Sequence, residues 1–192
     1  MELSAYETIW DVKLRATADK LRSNHMDAYI ARTPEELMTT LDTLVPFGGT
    51  VNAGGSMTLE HTGVIDYLRD RSLKGDFIFY DRAAPEVTTR EQIEKINLQA
   101  FEADFYFTST NAITADGWLY NVDGTGNRVA AMAYGPKNVI VICGRNKWVK
   151  NIDEAIERTR QISAPMNSVR LNKKVPCVGY GECRDCNAQD RI

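Results

Sequence analysis

Apolar positions along this chain follow two patterns that alternate, one typical of helices and one typical of short strands. Near the N-terminus they recur every three or four residues, which predicts a helix with one buried stripe: Tyr6, Trp10, Leu14, Ala18 and Leu21. Short apolar runs predict strands at 27–31, 50–53, 77–80, 105–108 and 139–143. Helical patterns occupy the intervals, two of them opened by the capping signals Thr33-Pro34 and Thr89-Arg90-Glu91-Gln92. Another runs from Met57 to about Arg71, and a last helix follows Asn151. This alternation predicts a mostly parallel sheet with right-handed crossovers.

The alternation breaks after Thr108. Two strand-like runs, 117–122 and 128–132, flank a Gly-rich segment, which predicts an antiparallel hairpin. From Ser163 onward periodicity is lost, and composition predicts a loop. We therefore expect one α/β domain over residues 1–165, with a mostly parallel sheet flanked by helices and an antiparallel hairpin. A cysteine-containing tail would occupy 166–192.

Composition and charge limit the classes of partner and the cellular location expected for this domain. Hydrophobic residues make up 43% and charged residues 26% of the chain, as in ordinary globular proteins. The net charge of -3 argues against a nucleic-acid binder that relies on bulk positive charge. No apolar run approaches the roughly 20 residues of a membrane helix, and the first residues lack the blocks of a signal peptide. We expect a cytoplasmic protein with neither a nucleic-acid nor a membrane partner.

The segment from Gly54 to Glu60 is the first candidate site. A strand ends, Gly54 and Gly55 allow a sharp turn, and Ser56 stands where a helix begins. Exposed amides there, beside the hydroxyls of Ser56 and Thr58, suit a phosphate or carboxylate, and ligands of open α/β sheets bind at such strand ends. Glu60 follows one turn later and could point into the same crevice. The plainer alternative is a tight turn in which Ser56 is an ordinary N-cap.

Two further polar segments could line the same crevice. Asn111 and Asp116 lie in a run of hydroxyls and amides directly after a predicted strand. The predicted hairpin turn contributes Asp123, Gly124, Asn127 and Arg128. The Arg128 guanidinium would hold an anionic substrate bidentately, while Glu60 or Asp116 would move a proton. We predict that Ser56 and Glu60 share a crevice with Asp116 or Arg128.

Several familiar sites are disfavoured by spacing. Gly124-Thr125-Gly126 lacks the third glycine of a dinucleotide fingerprint, and Gly135-Pro136-Lys137 lacks the spacing of a Walker loop. We therefore expect no standard NAD or ATP site. The Gly54–Thr58 segment is a near miss to a serine-hydrolase elbow, but that fold needs a histidine late in the chain. The only histidines are His25 and His61.

Three of the four cysteines crowd into the tail, at Cys177, Cys183 and Cys186. Thiolates in a Gly-containing loop can hold zinc or an iron–sulfur cluster, and we expect a metal on these three residues. Three sulfurs fall short of a closed site, so the fourth ligand would come from Asp185, Asp190, another subunit or an external molecule. Free surface thiols or a redox-labile pair are the alternatives.

Taken together, these motifs resemble the LUD-domain family, named for lactate utilisation. The resemblance rests on Gly54 to Glu60, on Ala103 to Tyr106 leading to Asn111–Gly117, and on Arg128–Pro136 leading to the strand at 138–144, and spans about residues 10 to 165. It implies a fold similar to the ribose-phosphate isomerase, glucosamine-phosphate deaminase and CoA-transferase group. It also implies a link to L-lactate oxidation through an iron–sulfur complex. The chain departs from the cluster-bearing subunit, because it lacks ferredoxin-like cysteine repeats and a long C-terminal extension.

Two kinds of function remain open at this point. In the first, the chain binds a small anionic metabolite such as a hydroxy acid, a sugar phosphate or an acyl-CoA, as an enzyme or part of one. Its partners would then include electron-transfer subunits or a second copy of the chain. In the second, it is a non-catalytic accessory or sensor domain that uses the tail cysteines for metal or redox sensing.

Overall fold

The computed structural model describes residues 4–191, which form two compact units. The central unit comprises 31–109 and 126–143, and the terminal unit comprises 4–30, 110–125 and 144–191. The helices are α1 (Ala5–Ser23), α2 (Pro34–Leu44), α3 (Met57–His61), α4 (Val64–Leu73), α5 (Arg90–Gln99), α6 (Asn127–Ala133), α7 (Ile152–Arg158), α8 (Ala164–Arg170) and α9 (Cys177–Tyr180). The strands are β1 (Thr50–Ala53), β2 (Ile78–Tyr80), β3 (Phe105–Thr108), β4 (Ala112–Thr114), β5 (Leu119–Tyr120), β6 (Asn138–Val141) and β7 (Trp148–Val149).

The central unit is built on a four-stranded sheet of order β2-β1-β3-β6, and every neighbouring pair in it is parallel. Successive side chains of β3 point to opposite faces and meet different partners. Phe107 packs with residues of α2, α3 and α4, whereas Tyr106 packs with Ala100 and with Ala131 of α6. Helices therefore cover both faces, which confirms the predicted α/β class with a mostly parallel sheet.

The terminal unit contains a small mixed sheet of order β5-β4-β7. β4 pairs antiparallel with β5 and parallel with β7, and a small core of Ala112, Val149 and Ala155 lies beside it. Helix α1 is fastened to β7 by Trp148, whose indole nitrogen donates to the Thr17 hydroxyl at 2.9 Å and whose ring meets Trp10 edge to face. The residues after 165 belong to this unit; a domain boundary at that point stays a prediction.

An antiparallel hairpin is present, but it does not join the two runs that the sequence predicted. β5 pairs with β4, across the turn that contains Gly117 with φ of 84°, and the run 128–132 lies in α6 instead of a strand. That prediction was wrong because the two alanines and the methionine of this run favour a helix more strongly than the single Val129 favours a strand. Gly126, with φ of 80°, provides the left-handed turn that starts α6.

Three other sequence predictions also need correction. The predicted strand at 27–31 is irregular chain. The helix predicted from Met57 to Arg71 is two helices, because the chain turns through Gly63, whose φ of 74° interrupts the helical path. The helix after Asn151 continues through a π-helical turn at Thr159–Ser163 into α8, and the tail predicted as loop contains α8 and α9. Within the described residues, no helix has the length and apolarity needed to cross a membrane.

Candidate functional site

The carboxyl end of β1 in the central unit has the predicted strand, turn and helix. The backbone nitrogen of Gly54 still donates to the Phe107 carbonyl of β3 at 2.9 Å, and the chain then turns away from the sheet. The Ser56 hydroxyl accepts from the Leu59 amide at 3.4 Å, so Ser56 is the N-cap of α3. We call residues 54–58 the β1 loop. The predicted strand, turn and helix are confirmed, with Ser56 as an N-cap and Thr58 on the first turn of α3. Anion binding by this loop stays a prediction.

A side chain on either glycine of the β1 loop would displace the end of a neighbouring side chain. A Cβ atom on Gly54 would lie 2.5 Å from the Tyr106 hydroxyl oxygen, and one on Gly55 would lie 1.6 Å from a guanidinium nitrogen of Arg82. Arg82 follows β2 by two residues. Arg82 is not among the residues predicted from the sequence, although its position shortly after a predicted strand is a signal that could have indicated it. The structure thus places a cation against the backbone of the β1 loop.

Arg128 reaches the same edge of the sheet from the first turn of α6. Its Nη1 atom donates to the Ser109 carbonyl at 2.9 Å, and the Ser109 hydroxyl lies 3.4 Å from the hydroxyl of Thr58. Ser109 comes directly after β3 and is 5% exposed. The structure therefore joins two predicted site residues, Arg128 and Thr58, through Ser109, which belongs to the polar run after β3 but is not one of the predicted site residues. We call Thr58, Ser109 and Arg128 the arginine–hydroxyl cluster.

The other predicted residues of the central unit are Glu60 and Asn127. Glu60 is exposed near the end of α3, one turn after Ser56. Asn127 is the first residue of α6 and is half-buried beside Arg128. Both lie on elements that begin near the predicted site, and their roles in catalysis and binding stay predictions.

The remaining predicted residues belong to the terminal unit. The Asn111 side-chain oxygen accepts from the Val122 amide at 3.0 Å, and the Asp116 carboxylate accepts a short hydrogen bond from the Thr114 hydroxyl inside the turn between β4 and β5. Asp123 and Gly124 lie on the loop after β5. The hydrogen bonds of Asn111 and Asp116 thus stabilise the backbone around β4 and β5. A crevice shared by Asp116 with Glu60 stays a prediction.

Two basic side chains that the sequence analysis missed also bind this segment. Lys147 donates from Nζ to the Thr110 carbonyl at 3.0 Å, and Arg158 donates to the Asn111 carbonyl at 2.5 Å. They come from chain segments 36 or more residues away, so no local pattern around Asn111 could have indicated them. Both contacts hold the backbone at the start of β4.

Comparison with known proteins settles the family. The sequence model of one family, the LUD domain, matches residues 14–192. The chain belongs to the LUD-domain family. Membership implies a function related to lactate utilisation, and the match includes the tail as well as the part that carries the resemblance. The curated proteins and the solved structures gave no match to the chain.

The tail cysteines of this LUD domain lie in different surroundings. Cys177 is buried, 8% exposed, with its sulfur 3.5 Å from the Ser168 hydroxyl oxygen, whereas Cys183 and Cys186 are half-buried in the following loop. That loop is tied down by Arg160, whose guanidinium binds the Asp185 carboxylate bidentately at 2.7 and 2.8 Å. Between residues 4 and 191 no group of three or more His, Cys, Asp or Glu side chains is placed to hold a metal ion. The three cysteines as arranged do not fit a common metal, and the zinc or iron–sulfur site stays a prediction.

Proposed function

We propose that this LUD domain binds a small anionic metabolite at the carboxyl edge of the central sheet, as part of lactate or 2-hydroxy acid utilisation. One observation carries the proposal: the contact of Arg128 with Ser109, and of Ser109 with Thr58, brings a cation to the β1 loop. The candidate ligands are a hydroxy acid, a sugar phosphate or an acyl-CoA. Each offers the carboxylate or phosphate that arginine recognises best.

The arrangement suits an anion for electrostatic reasons. Arg128 is half-buried, so solvent screens its charge less than that of an exposed arginine. Its donation to the Ser109 carbonyl restricts the orientation of the guanidinium, which lowers the entropy that ligand binding would cost. The hydroxyls of Thr58 and Ser56 add donors of the kind that bind carboxylate and phosphate oxygens.

Chemistry on a 2-hydroxy acid would need a group that takes the hydroxyl proton. Glu60 is the proposed proton acceptor, because it lies one helical turn after Ser56, on the side of the short helix α3 where Ser56 begins it. Oxidation of a hydroxy acid to an oxo acid releases two electrons as well as two protons. The proposal therefore includes an electron-accepting partner subunit, in agreement with the family's link to lactate utilisation.

Calorimetric titration of the protein with L-lactate, a sugar phosphate and CoA tests the proposal. At least one of them should bind saturably, and Arg128→Gln should weaken that binding about tenfold or more. Arg90→Gln is the matched control, because Arg90 is exposed on α5 and pairs only with Glu94 among the contacts described. Circular dichroism should show that all variants are folded. If no ligand binds and the purified protein carries a tightly held metal, the accessory or sensor function replaces this one.

A further inference from the structure

We infer that Arg82 forms a second anion subsite on the other side of the β1 loop, so that the preferred ligand carries two anionic groups. This inference rests on the proposed function and specifies its ligand. The arginine–hydroxyl cluster would hold one group, and Arg82 would hold the other. A hydroxy acid that carries a phosphate or a second carboxylate has the required chemistry.

The position of Arg82 in the sheet supports two separate subsites. In the order β2-β1-β3-β6, Arg82 follows β2, the β1 loop follows β1, and Ser109 follows β3. The strands that lead to Arg82 and to Ser109 are therefore the two neighbours of β1. At about 4.8 Å between adjacent strands, their ends are separated by about 10 Å of sheet edge. Long arginine side chains from the two sides can address opposite ends of one small ligand.

Two hydrogen bonds of Asp81 hold the turn after β2 in place. The Asp81 carboxylate accepts from Nε of Arg69 at 2.7 Å and, through its other oxygen, from the Ala83 amide at 2.8 Å. Asp81 is thus bound to α4 and to its own turn. These contacts hold the backbone on both sides of Arg82, and so they fix the point from which its side chain reaches the β1 loop.

Gly55 of the β1 loop provides the space that the Arg82 guanidinium occupies. Its φ is not in the left-handed region, so its conformation does not require glycine. The constraint is steric, because a Cβ atom there would lie 1.6 Å from a guanidinium nitrogen of Arg82, and that side chain would have to move away. The absence of a side chain at residue 55 lets one nitrogen of the half-buried Arg82 guanidinium approach the loop at the end of β1, where ligands of open α/β sheets bind.

Matched pairs of ligands separate this inference from the proposed function. Calorimetry would compare glycerate with 3-phosphoglycerate, which differ by one phosphate, on the wild type and on Arg82→Gln, Arg128→Gln and Arg90→Gln. The wild type should bind 3-phosphoglycerate about tenfold or more tightly than glycerate. Arg82→Gln should abolish that preference while changing glycerate affinity less than about twofold, and Arg128→Gln should weaken both ligands. Arg90→Gln should change neither.

A second variant tests the contact itself. Gly55→Ala should displace the guanidinium and reduce the preference for 3-phosphoglycerate as Arg82→Gln does. If Arg82→Gln reduced the affinity for both ligands equally, Arg82 would have a structural role and the inference would be overturned. Arg128-dependent binding without a preference for 3-phosphoglycerate would overturn it too, but would leave the proposed function standing. Binding that depends on Arg82 and not on Arg128 would overturn the proposed site at Arg128 and, with it, the pair of subsites. Binding of neither ligand would reject both proposals.

Discussion

Asp104 and Thr50 are joined by hydrogen bonds in both directions, which tie together the amino ends of β3 and β1. The Asp104 carboxylate accepts from the Thr50 amide at 2.8 Å and from its hydroxyl at 3.0 Å, and the Asp104 amide donates to that hydroxyl at 3.1 Å. Lys137 donates to the other carboxylate oxygen at 2.6 Å. The Lys137 hydrogen bond, followed by those from Thr50, lowers the pKa of Asp104 from 3.8 to about 2.

Because its pKa is lowered, Asp104 makes the free energy of unfolding depend on pH between about 4 and 2. The ionised carboxylate is favoured in the folded state, so its contribution is fully present above about pH 4 and is lost as the pH falls toward 2. Asp104→Asn should therefore lower the unfolding free energy by about 1–2 kcal/mol at pH 7, since the side chain is partly exposed. The difference from wild type should shrink below pH 4. Urea denaturation at pH 7, 5 and 3 measures it.

Asp70 provides the control for this pH dependence. It pairs with Lys74 on the surface of the same unit, with both side chains more than 60% exposed. Asp70→Asn should change the unfolding free energy by less than about 0.5 kcal/mol at every pH. Equal pH profiles for Asp70→Asn and Asp104→Asn would contradict the assignment to Asp104.

Arg71 is a buried cation that holds the central unit together. It is 8% exposed, and it donates to the Asp76 carboxylate at 2.7 Å, to the Val45 carbonyl at 3.1 Å and to the Tyr67 hydroxyl at 2.8 Å. Arg71→Ala would leave a nearly buried carboxylate without this cation. We expect it to cost about 3–5 kcal/mol of unfolding free energy in urea denaturation. Arg90→Ala, on exposed α5, should cost less than about 0.5 kcal/mol, and equal losses would show that burial is not the cause.

Glu60→Gln should affect function and not stability. The side chain is exposed on α3, so its neutralisation should change the unfolding free energy by less than about 0.5 kcal/mol. Turnover or ligand affinity should fall, because the proposed proton acceptor would be lost. Glu91→Gln, at an exposed position of α5, should change neither quantity. A large drop in melting temperature for Glu60→Gln would show that Glu60 is structural.

The tail thiols should react at different rates if they lie as the structure places them. In a Cys143→Ser background, Cys183 and Cys186 should react readily with a thiol reagent, whereas buried Cys177 should react slowly because its sulfur lies within the contact with Ser168. A chelator should not alter these rates. Equal protection of all three thiols, released together by a chelator with stoichiometric metal, would instead establish the predicted metal site.

Local signals in the sequence predicted several helix starts and the bounds of two strands. The capping box of Thr89 and Gln92 and the N-cap at Asn151 open helices as expected, and the predicted bounds of β1 and β3 match the structure. The run 128–132 was mistaken for a strand because short apolar segments lack a decisive period. For the same reason the irregular stretch at 27–31 was taken as a strand.

For the candidate site, the sequence by itself determined which loops carry glycines, hydroxyls and charges after the strands. Residues 54–60, 108–117 and Arg128 could be selected as candidates because strand ends and turn residues are recognisable one segment at a time. Only the tertiary structure decided that Ser109 links Arg128 to Thr58, that Arg82 lies on Gly55, and that Cys177 lies apart in a contact with Ser168. The order of parallel strands and the reach of long side chains depend on pairing between distant residues, which no local pattern encodes.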